Sequence, residues 1–138
     1  MNILKHVGAV LLGVFVGMIL ITLMHMLGNL MYPLPEGLDM NDPEAMGAYI
    51  PTMPFGAMLM VLLAHGSGSF GGAFIAALLV RKTGKPMLLG WVVGGIVMVF
   101  GLMNLFMVPG HPTWFAIVDT VMYIPLGLMG AKLAIPKR

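Results

Sequence analysis

No cysteine occurs among the 138 residues of this chain, and charged residues make up only 9% of it. The lack of cysteine excludes disulfide scaffolds, thiolate zinc sites and cysteine nucleophiles. The scarcity of charge excludes a soluble enzyme, a disordered tail and a nucleic-acid-binding domain, because soluble domains carry roughly 25% charged residues. Hydrophobic residues make up 59% of the chain, which is more than one core of this size can bury. The composition therefore predicts an integral membrane protein.

Four apolar stretches are each long enough to cross a bilayer as a helix, which takes about 20 residues. Most of the prolines lie at or just outside the ends of these stretches, where a residue without an N–H disturbs a helix least. Each stretch is expected to be helical, because a helix satisfies its own backbone hydrogen bonds in hydrocarbon. We therefore predict an all-α fold, an integral membrane four-helix transmembrane bundle with a short interfacial helix in its outer loop. The single domain covers residues 1–138, with spans near 4–31, 55–80, 87–108 and 113–135 and an outer loop at 32–54.

The charged residues sort to opposite sides of the four predicted crossings. The positive-inside rule makes the basic side cytoplasmic, which places both termini in the cytoplasm. The long first span without a cleavage site and the compact loops indicate a multi-pass protein of a bacterial cytoplasmic (inner) membrane. The basic residues are Lys5, Arg81, Lys82, Lys85, Lys132, Lys137 and Arg138, and the acidic residues of the outer loop are Glu36, Asp39, Asp42 and Glu44.

The outer loop contains a helix-start signal. Asp42 is a favourable N-cap, Pro43 suits the first helical position, and Glu44 places an acid in the first turn. One interpretation is a lid whose apolar face covers the mouth of the bundle, and the alternative is a solvated acidic loop. The residues of that apolar face are Met46, Tyr49 and Ile50.

Each span also carries small residues at helical spacing, which allow helix backbones to approach closely in lipid. Packing within one bundle is the first interpretation, and a seam between identical chains is the second. The residues concerned are Gly13 and Gly17, then Gly68, Gly72 and Ala76, then Gly90 and Gly94, and finally Gly127 and Ala131.

Polar side chains inside the spans lie in the outer half of the predicted bundle. With a rise of 1.5 Å per residue, His25 and Asp119 are about 9 Å deep, whereas His65 and Tyr123 are about 15 Å deep. Asp119 is the only carboxylate inside a span, and it would be costly there without a partner. Since His25 matches its depth, we predict an Asp119–His25 pair. The predicted polar site consists of His25, Asn29, His65, Asn104, Asp119 and Tyr123, with an outer rim of Glu36, Asp39, His111 and Trp114.

Two interpretations of this site stay open: a structural clasp that fixes helix register, and a functional site for a proton, an ion or a ligand. No H-x-x-x-H spacing points to zinc or iron, so no metal ligand is assigned and no cofactor is identified. The 16 methionines offer soft ligands for Cu(I), but methionine also fills irregular apolar gaps. No catalytic residue is assigned, because the chain has neither paired carboxylates at catalytic spacing nor a Ser–His–Asp order. An enzyme is therefore disfavoured.

Two loop motifs carry a family resemblance. They are Tyr32-Pro33-Leu34-Pro35-Glu36-Gly37 and Pro109-Gly110-His111-Pro112-Thr113-Trp114-Phe115. In these motifs the chain resembles a loose group of small, uncharacterised four-span bacterial membrane proteins. The resemblance implies the four-span fold and no activity.

The expected function is a binding or assembly role in the membrane, as an accessory subunit or a homo-oligomer. The alternative is a proton- or cation-coupled transporter or channel component that uses Asp119 and His25. A membrane enzyme acting on a lipid or a quinone ranks third. The expected partners are membrane lipid and other membrane protein subunits or a second copy of the chain, and nucleic acid is excluded.

Overall fold

The computed structural model describes residues 3–82 and 84–136, and these residues form helices and connecting loops without strands. The four long helices are α1 (Ile3–Met31), α3 (Phe55–Val80), α4 (Pro86–Met107) and α5 (Thr113–Leu133). Each of them is long and apolar enough to cross a membrane, which makes the chain a multi-pass membrane protein. The predicted four-helix bundle is confirmed, and every span ends within two residues of its predicted boundary.

The loop between α1 and α3 forms the predicted short helix, α2 (Pro43–Tyr49), which is followed by a 3₁₀ turn (Ile50–Thr52). The side chain of Asp42 caps α2 by accepting a 2.9 Å hydrogen bond from the backbone N–H of Glu44. This bond satisfies one of the N–H groups that have no partner at a helix start. The N-cap signal in the sequence therefore identified the start of α2 correctly.

Contacts between glycine and proline hold α2 against the loop between α4 and α5. A Cβ atom on Gly47 would lie 2.6 Å from the ring of Pro109. Gly110 has a φ of +92°, which favours glycine, and a Cβ atom there would collide with the carbonyl oxygen of Gly47. The two loops at this end of the bundle therefore pack as one layer.

Helix α3 is central, because it packs against α1, α4 and α5. Its contact with α1 runs through facing glycines. A Cβ atom on Gly13 would lie 2.6 Å from the carbonyl oxygen of Gly72, and one on Gly17 would lie 2.7 Å from that of Gly68. Only glycine permits backbones to come this close.

Helices α4 and α5 meet in the same way. A Cβ atom on Gly90 would lie 2.9 Å from the carbonyl oxygen of Gly127, and one on Gly94 would lie 3.0 Å from that of Tyr123. These small-residue stripes are therefore used for packing inside the bundle, as the first of the two interpretations predicted.

The helix order places charge at opposite ends of the bundle. We call the end that carries Lys5, the α3–α4 loop and Lys132 the basic end, and the end that carries α2 the acidic end. The predicted basic residues Lys137 and Arg138 lie outside the described residues. In the half near the basic end, α1 and α4 share an apolar core that includes Ala9, Leu89 and Val93. The polar side chains of the predicted site lie in the other half.

Candidate functional site

Three side chains form a buried hydrogen-bonded cluster between α3 and α5, which we call the polar triad: His65, Asp119 and Tyr123. Asp119 Oδ1 lies 2.6 Å from His65 Nδ1, and Asp119 Oδ2 accepts a 3.0 Å hydrogen bond from the Tyr123 hydroxyl. The same hydroxyl lies 3.0 Å from His65 Nδ1. Asp119 and Tyr123 are each 1% exposed. These two hydrogen bonds replace those that the buried carboxylate would otherwise make with water.

Two neighbours hold the polar triad in position. Ser69 lies one turn after His65 on α3, and its hydroxyl donates a 2.6 Å hydrogen bond to the carbonyl oxygen of Tyr123. The Tyr123 hydroxyl also packs directly on Gly101 of α4, where a Cβ atom would collide with it. Sequence reasoning did not include Ser69 in the site. Its spacing of four residues from His65 was a usable signal, because that spacing puts both residues on one helix face.

The predicted pairing of Asp119 with His25 is wrong, because the partner of Asp119 is His65. The ring of His25 instead packs edge-on against the ring of His65, with 5.5 Å between the ring centroids and 70° between the planes. Matching depths treats the helices as parallel rods and does not reveal which of them are neighbours. Since α3 packs against both α1 and α5, its histidine lies where the sequence estimate placed a direct contact.

Next to the polar triad lies a cavity of about 460 Å³, which is within the usual range for sites that bind small organic molecules. Residues of α1, α3, α4, the α4–α5 loop and the start of α5 form its walls, and α2 with its flanking residues covers it. The polar side chains that line it are Thr22, His25, Asn29, Tyr49, His65, Asn104 and His111. Most of the remaining lining is apolar and includes Met26, Met40, Met46, Met53, Met58 and Phe115.

His65 is the only member of the polar triad that reaches the cavity. Its Nδ1 faces the Asp119 carboxylate, which can only accept, so in the neutral ring Nδ1 carries the hydrogen and Nε2 is an acceptor. Within residues 3–82 and 84–136, Nε2 has no hydrogen-bond partner, and it is not sealed off by surrounding atoms. The polar triad therefore presents one acceptor nitrogen to the cavity.

The other predicted site residues separate into two groups. His25, Asn29 and Asn104 line the cavity, and so does His111 from the predicted rim. The remaining rim residues, Glu36, Asp39 and Trp114, are not part of the lining. The Asp39 carboxylate accepts a 2.9 Å hydrogen bond from the N–H of Asn41. The ring of Trp114 packs against the ring of Phe55, with 5.4 Å between the ring centroids.

His111 forms part of the cavity wall near the acidic end. Its Nδ1 donates a 3.0 Å hydrogen bond to the carbonyl oxygen of Val108, and its ring stacks on the ring of Phe115 with 5.5 Å between the ring centroids. Burial lowers the pKa of His111, although the bond to Val108 acts in the opposite direction. Burial therefore disfavours the charged form of His111, and in the neutral ring Nε2 is the acceptor.

The apolar face predicted for α2 covers the cavity, because Met46, Tyr49 and Ile50 all line it together with His25. Met53, Met58 and Phe115 line it as well, and sequence reasoning did not single them out. No signal was available for these three, since an apolar residue in or beside a membrane helix looks the same whether it faces a cavity, a neighbouring helix or lipid.

Among the residues that the structure describes, no Asp, Glu, Lys or Arg lines the cavity. In the same part of the chain, no three His, Asp or Glu side chains are grouped closely enough to hold a metal ion. The site therefore offers histidine, asparagine, threonine and tyrosine as hydrogen-bonding groups, together with soft apolar surface. No protein-family model, curated protein or solved structure matches the chain.

Proposed function

We propose that this protein binds a small amphipathic molecule, uncharged or cationic, in the cavity at its acidic end. The observation that carries the proposal is the cavity itself, about 460 Å³ in volume and placed beside the polar triad. Histidine and asparagine side chains suit a polar head, and methionine and aromatic side chains suit an apolar body. A structural clasp alone would need the triad but not the space beside it.

The charge distribution favours a ligand without negative charge. The basic residues that the structure describes lie at the opposite end of the bundle, and four carboxylates lie in the loop that carries α2. Asp119 lies directly behind His65. An anionic head would therefore meet repulsion without a compensating lysine or arginine, whereas a neutral or cationic head would not.

The opening of the cavity favours a ligand dissolved in the membrane. Thr22, Met26 and Asn29 on α1 and Asn104 on α4 line the cavity, yet they are also exposed at the bundle surface. All four lie within membrane-spanning helices. The gap between α1 and α4 is therefore a lateral opening through which an apolar tail would extend into lipid.

For the orientation, we propose a cytoplasmic (inner) membrane with both termini inside and α2 outside, following the positive-inside rule. Because the chain has no cysteine, a maleimide can react only with the thiol of a single introduced cysteine. In intact cells, a membrane-impermeant maleimide should label Asp39→Cys directly and Lys82→Cys only after permeabilisation. Labelling of both positions from the same side would contradict the four-span arrangement.

The binding proposal is tested by protection of a thiol in the cavity. Asn29→Cys places the thiol in the lining of the cavity. Leu30→Cys is the matched control, because Leu30 lies at nearly the same depth but outside the lining, with 80% of its surface exposed. In lipid nanodiscs, dodecanol and dodecyltrimethylammonium should slow alkylation at position 29 several-fold but not at position 30. Dodecanoate should protect neither position. Equal effects at both positions, or no effect of any probe, would contradict the proposal.

The polar triad favours a second candidate, a proton- or cation-coupled transporter or channel component. A buried carboxylate and a histidine can share a proton, and Asp119→Asn would then abolish flux without unfolding the protein. The apolar core in the half near the basic end argues against a continuous path, because the polar side chains of the site end at Ser69. We therefore rank transport below binding and expect no proton flux in vesicles that contain the purified protein.

The assembly role expected from the sequence ranks below both. Its homo-oligomer form relied on a surplus of small residues, but the glycines of α1, α3, α4 and α5 described above pack against each other within the chain.

A further inference from the structure

We propose that the head of the bound molecule is a hydroxylated aromatic ring, a phenol or hydroquinone, whose hydroxyl donates a hydrogen bond to His65 Nε2. This inference rests on the proposed function, since it names the class of amphipathic molecule that the cavity takes.

The first argument is the hydrogen bonding of His65. Asp119 Oδ1 lies 2.6 Å from His65 Nδ1 and accepts its hydrogen, so the lone pair of the neutral ring is on Nε2, and His65 lines the cavity. A ligand that donates a hydrogen bond satisfies this nitrogen, whereas one with only acceptors leaves it unpaired. A phenolic hydroxyl is such a donor, and it carries no formal charge at neutral pH.

The second argument concerns two amides. Asn29 on α1 and Asn104 on α4 both line the cavity at membrane depth. Neither side chain makes a hydrogen bond with any residue that the structure describes, so both amides are open to a ligand. An amide both donates and accepts, and it can therefore bind a second ring oxygen as a hydroxyl or as an ether. A polar group inside a membrane is costly without a hydrogen-bonding partner. A ring with oxygens on more than one side would supply such partners to both amides.

The third argument is the apolar lining. Five methionines surround the cavity, and the rings of His25, Tyr49 and Phe115 lie in its wall. Thioethers make favourable contacts with aromatic rings, and flat rings pack against each other edge-on or offset. This lining suits a planar ring better than it suits the head of a phospholipid, whose phosphate would also find no cation here.

The proposal concerns recognition and involves no oxidation or reduction. The proton stays on the ligand oxygen, and Asp119 acts as a positioning residue that sets which nitrogen of His65 is the acceptor. An alkyl or isoprenoid tail on the ring would leave through the gap between α1 and α4.

The experiment compares decylhydroquinone with its dimethyl ether, which keeps the ring, the tail and the oxygens but has no hydroxyl hydrogen. Binding is measured by titration calorimetry on the full chain in nanodiscs, with empty nanodiscs as the blank. The ether should bind about tenfold more weakly, the size of effect that one hydrogen bond to a buried acceptor produces. In His65→Phe, which keeps a ring but has no nitrogen, the two compounds should bind alike.

If His65→Phe does not fold, ¹⁵N NMR of histidine-labelled wild-type protein decides the same point. Hydroquinone should shift the Nε2 resonance of His65, and the ether should not. Equal affinity for the two compounds, or an unshifted Nε2, overturns the inference. If the ether nevertheless protects Asn29→Cys from alkylation, binding of amphipathic molecules stands and only the recognition of the hydroxyl falls. If neither compound binds, the inference falls, and protection by dodecanol decides the proposed function separately.

Discussion

Replacement of Asp119 by leucine is expected to destabilise the bundle by about 3 kcal/mol, because it removes the acceptor shared by two buried donors. Asparagine should cost less, about 1 kcal/mol. Its Oδ1 can accept from His65 Nδ1 and its amide can donate to the oxygen of the Tyr123 hydroxyl, so both contacts of residue 119 are kept and only the hydroxyl hydrogen loses its acceptor.

The leucine variant should also change the tautomer of His65. In the wild-type protein the Tyr123 hydroxyl already lies 3.0 Å from His65 Nδ1. Without the carboxylate, that hydroxyl can donate to Nδ1, and the ring hydrogen then moves to Nε2. Nε2 becomes a donor, so the cavity should now prefer decylquinone, which only accepts, over decylhydroquinone. This reversal distinguishes a positioning role for Asp119 from a merely structural one.

Stability is measured by thermal unfolding in one detergent, followed by circular dichroism. Val118→Leu is the matched control, because its side chain is adjacent in sequence but 44% exposed on the lipid-facing surface. The tautomer is read from ¹⁵N NMR of labelled histidine. An Asp119→Leu variant as stable as the control, with an unchanged His65 tautomer, would contradict the hydrogen bonding described for the polar triad.

The spans and α2 could be predicted from the sequence because they depend on local properties. Apolar length decides which segments can cross a bilayer, and the N-cap Asp42 followed by Pro43 determines where α2 begins. Polar residues of the spans could also be named as candidates, since a polar side chain inside an apolar span is conspicuous, although Ser69 was missed. These signals need no knowledge of which helices are neighbours.

The partner of Asp119 and the cavity depend on how the helices are arranged in three dimensions, and this the sequence did not reveal. His65 bonds to Asp119 because α3 packs against α5, although depth along the helices favoured His25. The cavity is formed jointly by residues of α1, α2, α3, α4 and α5, which are far apart in the sequence. No single helix carries that information.

The second large effect is expected at the glycine contact between α1 and α3. Gly13→Ala should destabilise the protein by about 3 kcal/mol, because the added Cβ would lie 2.6 Å from the carbonyl oxygen of Gly72 and 2.8 Å from Cβ of Ala76. Backbone atoms cannot move aside as a flexible side chain can, so the two helices would have to separate. Thermal unfolding in detergent measures the loss.

Gly8→Ala on the same helix is the matched control. A Cβ atom there meets no atom within 4 Å, and alanine has a higher helix propensity than glycine, so the stability of this variant should be unchanged or higher.

The Gly13→Ala variant should also change the cavity. Separation of α1 from α3 would move the ring of His25 away from the ring of His65, whose centroid is 5.5 Å away in the wild-type protein, and would widen the cavity. Gly13→Ala should therefore weaken the protection of Asn29→Cys by dodecanol, while Gly8→Ala leaves it intact. Equal stability of the two alanine variants would contradict the close approach of α1 and α3, on which the position of His25 in the cavity depends.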